Sequence, residues 1–340
     1  MESKLKILSL AVLTLMSLTP LSFAEEPSQG WDRITDMSER RSEAGSAVIG
    51  EMIYVIGGLN NKDNPTDTVF IFDTRNESWG IGTPMPLKLH HAGVSQSDGK
   101  IYVAGGYLEG WIPSDSLLIY DVSNDNWSFG ANMPTARGAL TAEVVENKLF
   151  AIGGFNEFVR NENEMYDPVS DSWEKKSSLP TPREHLASST LDDKLYVIGG
   201  RAQSQNTDVH ERYDSKIDSW ESLEPLPTSR SGLTASSLNG AIFVFGGESF
   251  KKTFEENEAY VPDEGWFEQQ PMPISRHGLT SETVGENIYL MGGGVIPGFS
   301  SSKIVEKYHN TIIPEFGVLV PIVLAISVGM AIVFSKNKFK

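Results

Sequence analysis

The chain has 340 residues, 31 glycines, no cysteine and a formal net charge of −17. The lack of cysteine excludes disulfides, thiolate metal sites and cysteine nucleophiles. The acidic charge argues against nucleic acid as a partner, because an acidic surface repels the phosphate backbone. The abundant glycine, with an aromatic share of 10%, is typical of an all-β protein with many turns.

Residues 1–24 have the pattern of a secretory signal peptide. Lys4 and Lys6 precede an apolar run over residues 7–18, and small residues lead up to Ala24. A positive start, a short apolar run and a small-residue cleavage site are the three parts of such a signal. An uncleaved anchor helix is the alternative. The short run and the small residues favour cleavage after Ala24, and we therefore expect export.

The middle of the chain repeats six times with a period of 46 to 48 residues. The first glycines of six adjacent pairs are Gly57, Gly105, Gly153, Gly199, Gly246 and Gly292. The repeat tryptophans are Trp31, Trp79, Trp127, Trp173, Trp220 and Trp266. Each tryptophan precedes its glycine pair by 26 residues, and this regularity indicates a repeat architecture.

Each repeat unit predicts four strands. An apolar run such as residues 53–56 ends at the glycine pair, and Asp98-Gly99 marks the hairpin before such a run. An aromatic residue with an acid, such as Phe72-Asp73, follows in the third strand, and the tryptophan lies in the fourth. Four antiparallel strands per unit make a propeller blade.

The order of glycine pair, tyrosine and tryptophan resembles the kelch family over about residues 29–310. The alternative WD40 repeat needs Trp-Asp signatures, and of the repeat tryptophans only Trp31 precedes an aspartate. The resemblance implies an all-β, six-bladed β-propeller, to which we assign residues 25–310. Trp31 follows no tyrosine strand and Tyr308 precedes no tryptophan strand, so the N-terminal strand should complete the last blade and close the ring.

Length variation is concentrated between the second and third predicted strands, where glycine pair and tyrosine (Phe72 in the first unit) stand 13 to 16 residues apart. Variable loops on a rigid scaffold commonly carry recognition, and exposed aromatics and arginines are typical anchors. The predicted binding residues here are Trp111, Phe155, Phe158, Arg160, Arg201 and Phe254, with Phe250, Lys251, Lys252 and Phe299 nearby. The alternative is that these side chains fold back onto neighbouring blades.

A second set of candidates lies ten residues after the repeat tryptophans, where innermost strands begin. Its members are Arg41, Arg137, Arg183, Arg230 and Arg276, and Leu89 interrupts the pattern in the second unit. The kelch resemblance implies a common arginine here, which in some members lines the channel mouth on the ligand-binding face. We therefore predict the last four as binding residues. The alternative is a buried arginine bonded to blade carbonyls.

Four histidines lie near the same strand starts, at His90, His91, His185 and His277. They occupy two registers, so their side chains are expected to face opposite ways. No spacing matches a helix-borne or loop metal motif. The sequence therefore predicts neither a metal site nor a cofactor.

The C-terminal part has the pattern of a membrane anchor. Residues 316–334 are apolar and long enough to cross a bilayer, and lysines in residues 335–340 should stay in the cytoplasm. Residues 311–315 form a short linker that includes the start of the motif Pro314-Glu315-Phe316-Gly317. This arrangement resembles archaeal C-terminal sorting signals of that type, whose tail is thought to be exchanged for another anchor. A plain single-span anchor is the alternative.

The sequence shows no catalytic constellation and favours a membrane-anchored platform that binds a protein or glycan at the cell surface. The short linker should hold the variable loops on the membrane-distal face. The enzyme alternative is a sugar-acid isomerase, which the kelch resemblance implies would need an arginine, a histidine and a carboxylate; Arg183, Glu184 and His185 are adjacent. The copper-radical oxidases of this fold need a cysteine crosslinked to a tyrosine, and this chain has no cysteine.

Overall fold

A computed structural model describes residues 30–309, which form six four-stranded antiparallel sheets around a central channel. We number these blades one to six in chain order. The innermost strands are Gly45–Ile49, Gly93–Ser97, Thr141–Val145, Ala187–Leu191, Thr234–Leu238 and His277–Val284. The second strands are Met52–Ile56, Lys100–Ala104, Lys148–Ile152, Lys194–Ile198, Ala241–Phe245 and Asn287–Gly294.

The outer half of each blade repeats with the same regularity. The third strands are Val69–Asp73, Leu117–Asp121, Asn163–Asp167, His210–Asp214, Asn257–Val261 and Val305–His309. The outermost strands are Ser78–Ile81, Asn126–Phe129, Ser172–Lys175, Ser219–Ser222 and Gly265–Glu268, with Trp31–Arg33 in blade six. Two of the second-to-third connections contain a short hairpin. In blade two, Tyr107–Leu108 pairs with Ile112–Pro113 around the 3-10 turn Glu109–Trp111. In blade four, Arg201–Ala202 pairs with Gln205–Asn206.

The ring closes through the N-terminal strand, as the sequence predicts. Trp31–Arg33 pairs antiparallel with Val305–His309, and Trp31 lies opposite Tyr308. The Trp31 indole also donates a hydrogen bond to the Gln270 carbonyl at 3.1 Å, in the connection that leads out of blade five. The first described strand therefore joins the last blade to its neighbour and covers an edge that would otherwise be open.

The repeat tryptophans connect neighbouring blades in the same way all round the ring. Each indole N–H donates to a backbone carbonyl that lies 42 to 44 residues earlier, or 239 residues later for Trp31. The indole faces the tyrosine or phenylalanine of its own third strand, as in the Tyr120–Trp127 pair with ring centroids 4.8 Å apart. The spacing of 26 residues thus reflects one repeated contact between blades.

Each glycine pair lies at the end of a second strand or directly after it, where the backbone has positive φ and passes close to other backbone atoms. Gly57 and Gly58 both have positive φ, at 65° and 84°. A Cβ at Gly57 would lie 2.5 Å from the carbonyl oxygen of Leu89, and one at Gly58 would lie 2.7 Å from that of Ser42. A side chain at the first glycine would push the next blade away, and one at the second would collide with the start of its own blade, which explains the pair in every repeat.

The hydrophobic core lies between adjacent blades. Tyr54 of blade one and Tyr120 of blade two, for example, belong to one buried cluster with ring centroids 6.1 Å apart. Within residues 30–309 no helix has the length and apolar character to cross a bilayer. The predicted signal peptide, linker, anchor and tail lie outside these residues.

Candidate functional site

A closed circle of backbone hydrogen bonds surrounds the channel where the innermost strands begin. One residue per blade contributes, twelve positions after each repeat tryptophan, and its N–H donates to the equivalent carbonyl of the preceding blade at 2.7 to 3.0 Å. All six residues have positive φ, between 50° and 62°. We call them the mouth ring: Glu43, His91, Ala139, His185, Gly232 and Gly278.

The mouth ring brings three functional side chains together. Glu43, His91 and His185 each present one possible ligand atom, and these atoms lie within 4.8 Å of one another. Gly278 leaves room for them, because a Cβ on this residue would overlap the Glu43 carboxylate. The ring lines a cavity of about 110 Å³. The prediction that mixed register turns the histidines apart is wrong, because His90 of one register contacts His91 of the other, and Nδ1 of His277 lies 3.5 Å from Oε1 of Glu43.

Further charged groups surround these three side chains. Glu184 contacts Nδ1 of His185 and accepts a hydrogen bond from Nε of Arg201 at 2.7 Å. Nδ1 of His277 is buried without a hydrogen-bond partner and lies 3.5 Å from both Oε1 of Glu43 and Oε2 of Glu248. The mouth thus holds three carboxylates and several imidazoles, and Nδ1 of His277 is a buried nitrogen without a hydrogen-bond partner.

Burial and the neighbouring side chains together set the ionisation of the mouth residues. It lowers the pKa of His91 and of His185, so both imidazoles are neutral at physiological pH. For His277, burial also acts to lower the pKa, but the Glu43 and Glu248 carboxylates outweigh it and raise the pKa. Burial acts to raise the pKa of Glu43, and the neighbouring His91 and His277 more than offset it, so Glu43 is a carboxylate.

Trp111 and Phe299 partly cover this mouth. Trp111 is about half exposed, and its ring lies 4.6 Å from His90 and 5.3 Å from His91 between centroids. Phe299 of blade six contacts Trp111 of blade two at 6.0 Å. The predicted residue Trp111 therefore lies beside the ionisable cluster with part of its ring open to solvent.

The other predicted loop residues divide into two groups. Phe158 is 67% exposed and Phe155 lies at the margin of exposure, while Arg160 donates to the Asn156 side chain at 2.8 Å. Arg201 lies in the mouth itself. Phe254 is a correction to the sequence prediction: it is buried, its N–H donates to the Gly247 carbonyl, and so it belongs to the scaffold.

The four arginines predicted at the channel mouth are fully buried, which corrects that expectation. Arg137, Arg183, Arg230 and Arg276 each pair with a buried glutamate of the same blade, respectively Glu164, Glu211, Glu258 and Glu306. Arg183 also donates to the carbonyls of Gly199 and Val197, both at 2.9 Å. Arg183 therefore cannot act with Glu184 and His185 in the way that the isomerase alternative requires.

The partner of each buried arginine is the second residue of the third strand. Where that residue is Phe70, Arg41 lies over its ring at 4.8 Å. In blade two both members are apolar, since Leu89 and Leu118 are buried in one cluster. The coupled change was visible in the sequence, because the glutamate appears only in units that carry the arginine.

Sequence reasoning also missed Glu43 and Glu248. Glu43 stands twelve residues after Trp31, the same offset that separates His91 from Trp79. An alignment of the six repeats on their tryptophans therefore places the mouth-ring residues in one column. Glu248 follows a glycine pair in a variable connection, and nothing in its sequence position indicates that it reaches His277.

Two carboxyls lie deeper in the channel. The Ser188 hydroxyl donates to Oε1 of Glu143 at 2.9 Å, and the Ser46 hydroxyl donates to Oε1 of Glu282 at 2.7 Å. Burial raises the pKa of Glu143 to about 7 and that of Glu282 to about 8. Both groups face a serine-rich channel wall, which remains partly accessible to water.

Known structures and sequences resemble the repeat. The structure titled "Structure of YjhT" superposes with a TM-score of 0.71 at 16% identity, over 80% of this chain and 95% of that one. This likeness shows the fold alone. Over 63 residues the chain is 40% identical to Kelch-like protein 9 of Mus musculus and 38% identical to Kelch-like protein 13 of Homo sapiens. Each match covers 17% of this chain and 10% of the relative.

The family is shown by a longer match. The KLHDC2/KLHL20/DRC7 Kelch-repeats domain matches residues 44–247, which is more than half of the chain and includes blades one to four and part of blade five. The six-bladed architecture and the repeated glycine, tyrosine and tryptophan contacts agree with it. The chain belongs to the kelch-repeat family of β-propellers.

Proposed function

We propose that this protein is an exported, membrane-anchored kelch propeller that binds a protein ligand through the face formed by its second-to-third connections. We call this the loop face. The distribution of exposed apolar side chains carries the proposal. Among residues 30–309, eight of the thirteen large exposed hydrophobic residues lie in these connections. They are Trp111, Ile112, Phe155, Phe158, Phe250, Val295, Ile296 and Phe299.

The loop face combines the features of a binding surface. Phe158, Phe250 and Phe299 are each at least 65% exposed. Arg201 and the mouth carboxylates supply polar groups beside them. Apolar anchors with a polar surround are typical of protein recognition. A glycan is the second ligand class, because the exposed Trp111 ring beside the polar mouth also suits a sugar face.

Export and anchoring rest on the predicted terminal segments. A signal peptide over residues 1–24 and a C-terminal membrane span over residues 316–334 both predict that the propeller lies outside the cell. The linker of residues 311–315 follows the third strand of blade six, which ends on the face opposite the loop face. A linker this short reaches at most about 18 Å. The loop face would then point away from the membrane, available to a partner at the cell surface.

The proposal is tested by probing arrays of surface proteins and glycans with the full chain in detergent. A triple variant, F158S/F250S/F299S, should lose at least 10-fold in affinity for the protein ligand that wild type binds. A matched control is V169S/I217S, which removes two exposed apolar side chains, 91% and 71% accessible, from the opposite face. Equal loss in both variants, or binding of glycans alone, would contradict a protein-binding loop face.

A further inference from the structure

We propose that Glu43, His91 and His185 form a binding site for a divalent transition metal of the Zn²⁺ class at the channel mouth. Two imidazoles with one carboxylate are a known ligand set for zinc, and they leave a fourth position for water or a ligand group. This inference goes beyond the loop-face proposal, since it assigns a site to residues that the exposed aromatic surface does not include.

The spacing of the donor atoms suits such an ion. Zinc binds nitrogen and oxygen at about 2.0–2.2 Å, so two tetrahedral ligands stand about 3.4 Å apart. Nε2 of His91 and Oε2 of Glu43 lie 3.4 Å apart. The ligand atom of His185 lies within 4.8 Å of both, so a small side-chain rotation completes the set.

Outer contacts orient the two imidazoles. Nδ1 of His91 lies 2.5 Å from Nδ1 of His90, and its other ring nitrogen, Nε2, faces Glu43. Nδ1 of His185 contacts Glu184 and lies 2.8 Å from Nη2 of Arg201. In the tautomer whose Nδ1–H is donated to Glu184, the Nε2 lone pair is left for a metal. A carboxylate behind a ligating histidine is the usual outer partner of a zinc site.

The charge around the site also favours a cation. Three carboxylates, those of Glu43, Glu184 and Glu248, meet at the mouth, against the guanidinium of Arg201 and the imidazole of His277. The buried Nδ1 of His277 lacks a hydrogen-bond partner and points at Glu43 from the other side. Trp111 and Phe299 partly cover the mouth, and the lower water content beneath them strengthens the attraction between carboxylates and an ion.

Calorimetric titration of the untagged, chelator-treated full chain with Zn²⁺ tests the site. We expect one Zn²⁺ per chain, with a binding isotherm that excess Mg²⁺ leaves unchanged because imidazole ligands select transition metals. The variants H91A, H185A and E43Q should each weaken binding by about 100-fold or more, since outer partners alone contribute 10–100-fold. E184Q, which changes only an outer partner, should weaken it by about 10–100-fold.

The variants have a built-in folding control. Ala139 occupies the same ring position with φ of 51°, so alanine fits the backbone at His91 and His185. Zn²⁺ should raise the melting temperature of wild type, because a ligand that binds only the folded state stabilises it. It should leave that of H185A unchanged. H309A removes a histidine from the opposite face and should bind like wild type.

Three results would overturn the proposal. They are the absence of saturable Zn²⁺ binding by wild type, unchanged binding in folded H91A and H185A, and loss of binding in H309A.

Discussion

The blade interior and the channel mouth are both built from the same six repeats. In the interior the side-chain contacts recur, whereas in the mouth only the backbone conformation recurs. In the interior, the tryptophan contact between neighbouring blades recurs all round the ring. In the mouth ring, the backbone recurs with its positive φ and its hydrogen bonds, while the side chains change from blade to blade. A repeated side chain therefore marks what the fold requires. A repeated backbone with varying side chains marks a place where a site can be built.

Blades two and four show the same division within the scaffold. Blade four buries the Arg183–Glu211 ion pair, and blade two holds Leu89 and Leu118 at the same positions. Both blades adopt the same four-stranded sheet. The scaffold therefore accepts either a charged or an apolar pair at this position, and in blade one it accepts Arg41 over the ring of Phe70.

The largest expected effect concerns the tryptophan that closes the ring. Trp31 is only 5% exposed, so W31A should lower the free energy of unfolding by about 3–5 kcal/mol. W31F keeps most of the buried area and loses the hydrogen bond to Gln270, so it should cost about 1 kcal/mol. Urea denaturation of both variants measures the difference. A W31A protein as stable as wild type would show that the N-terminal strand does not close the ring.

Breaking one buried ion pair should have a similar cost. R183L leaves Glu211 buried without its guanidinium, and it should destabilise the fold by about 3–5 kcal/mol. The double variant R183L/E211L reproduces the leucine pair of blade two and should recover at least half of that loss. Urea denaturation again measures both. If the double variant were as unstable as R183L alone, the equivalence of the two blades would be wrong.

Most of the scaffold could be predicted from the sequence, because its contacts repeat. Trp31 and Tyr308 predicted the closure through their missing partners. The mouth was harder, since convergence of Glu43 with His91 and His185 depends on the left-handed backbone of the ring. The burial of Phe254 and of the four arginines could not be predicted from local sequence. Each of these arginines binds a buried glutamate that lies 27 to 30 residues later in the chain.

A smaller effect should appear in the dependence of stability on pH. Glu143 and Glu282 have folded-state pKa values of about 7 and about 8, above the ordinary 4.5. Between pH 4.5 and pH 8, the folded state therefore binds more protons than the unfolded state. The free energy of unfolding should fall as pH rises through this range, from about 4.5 to about 8. The channel admits water, which limits the effect to about 1–2 kcal/mol.

The variant E143Q/E282Q provides the comparison. It should flatten this part of the stability curve, which melting temperatures across pH 4.5 to 9 would show. An unchanged slope in the variant would mean that other groups cause the pH dependence.

The most direct test of the account is which face the cell presents to the outside. The natural chain lacks cysteine, so single cysteines can be introduced and labelled on whole cells with a bulky impermeant thiol reagent. Glu157 and Gln203 are exposed on the loop face, and Asn124 and Asp193 are exposed on the opposite face. We predict strong labelling of E157C and Q203C and weak labelling of N124C and D193C. The reverse pattern, or no labelling of any variant, would contradict an exported propeller with an outward loop face.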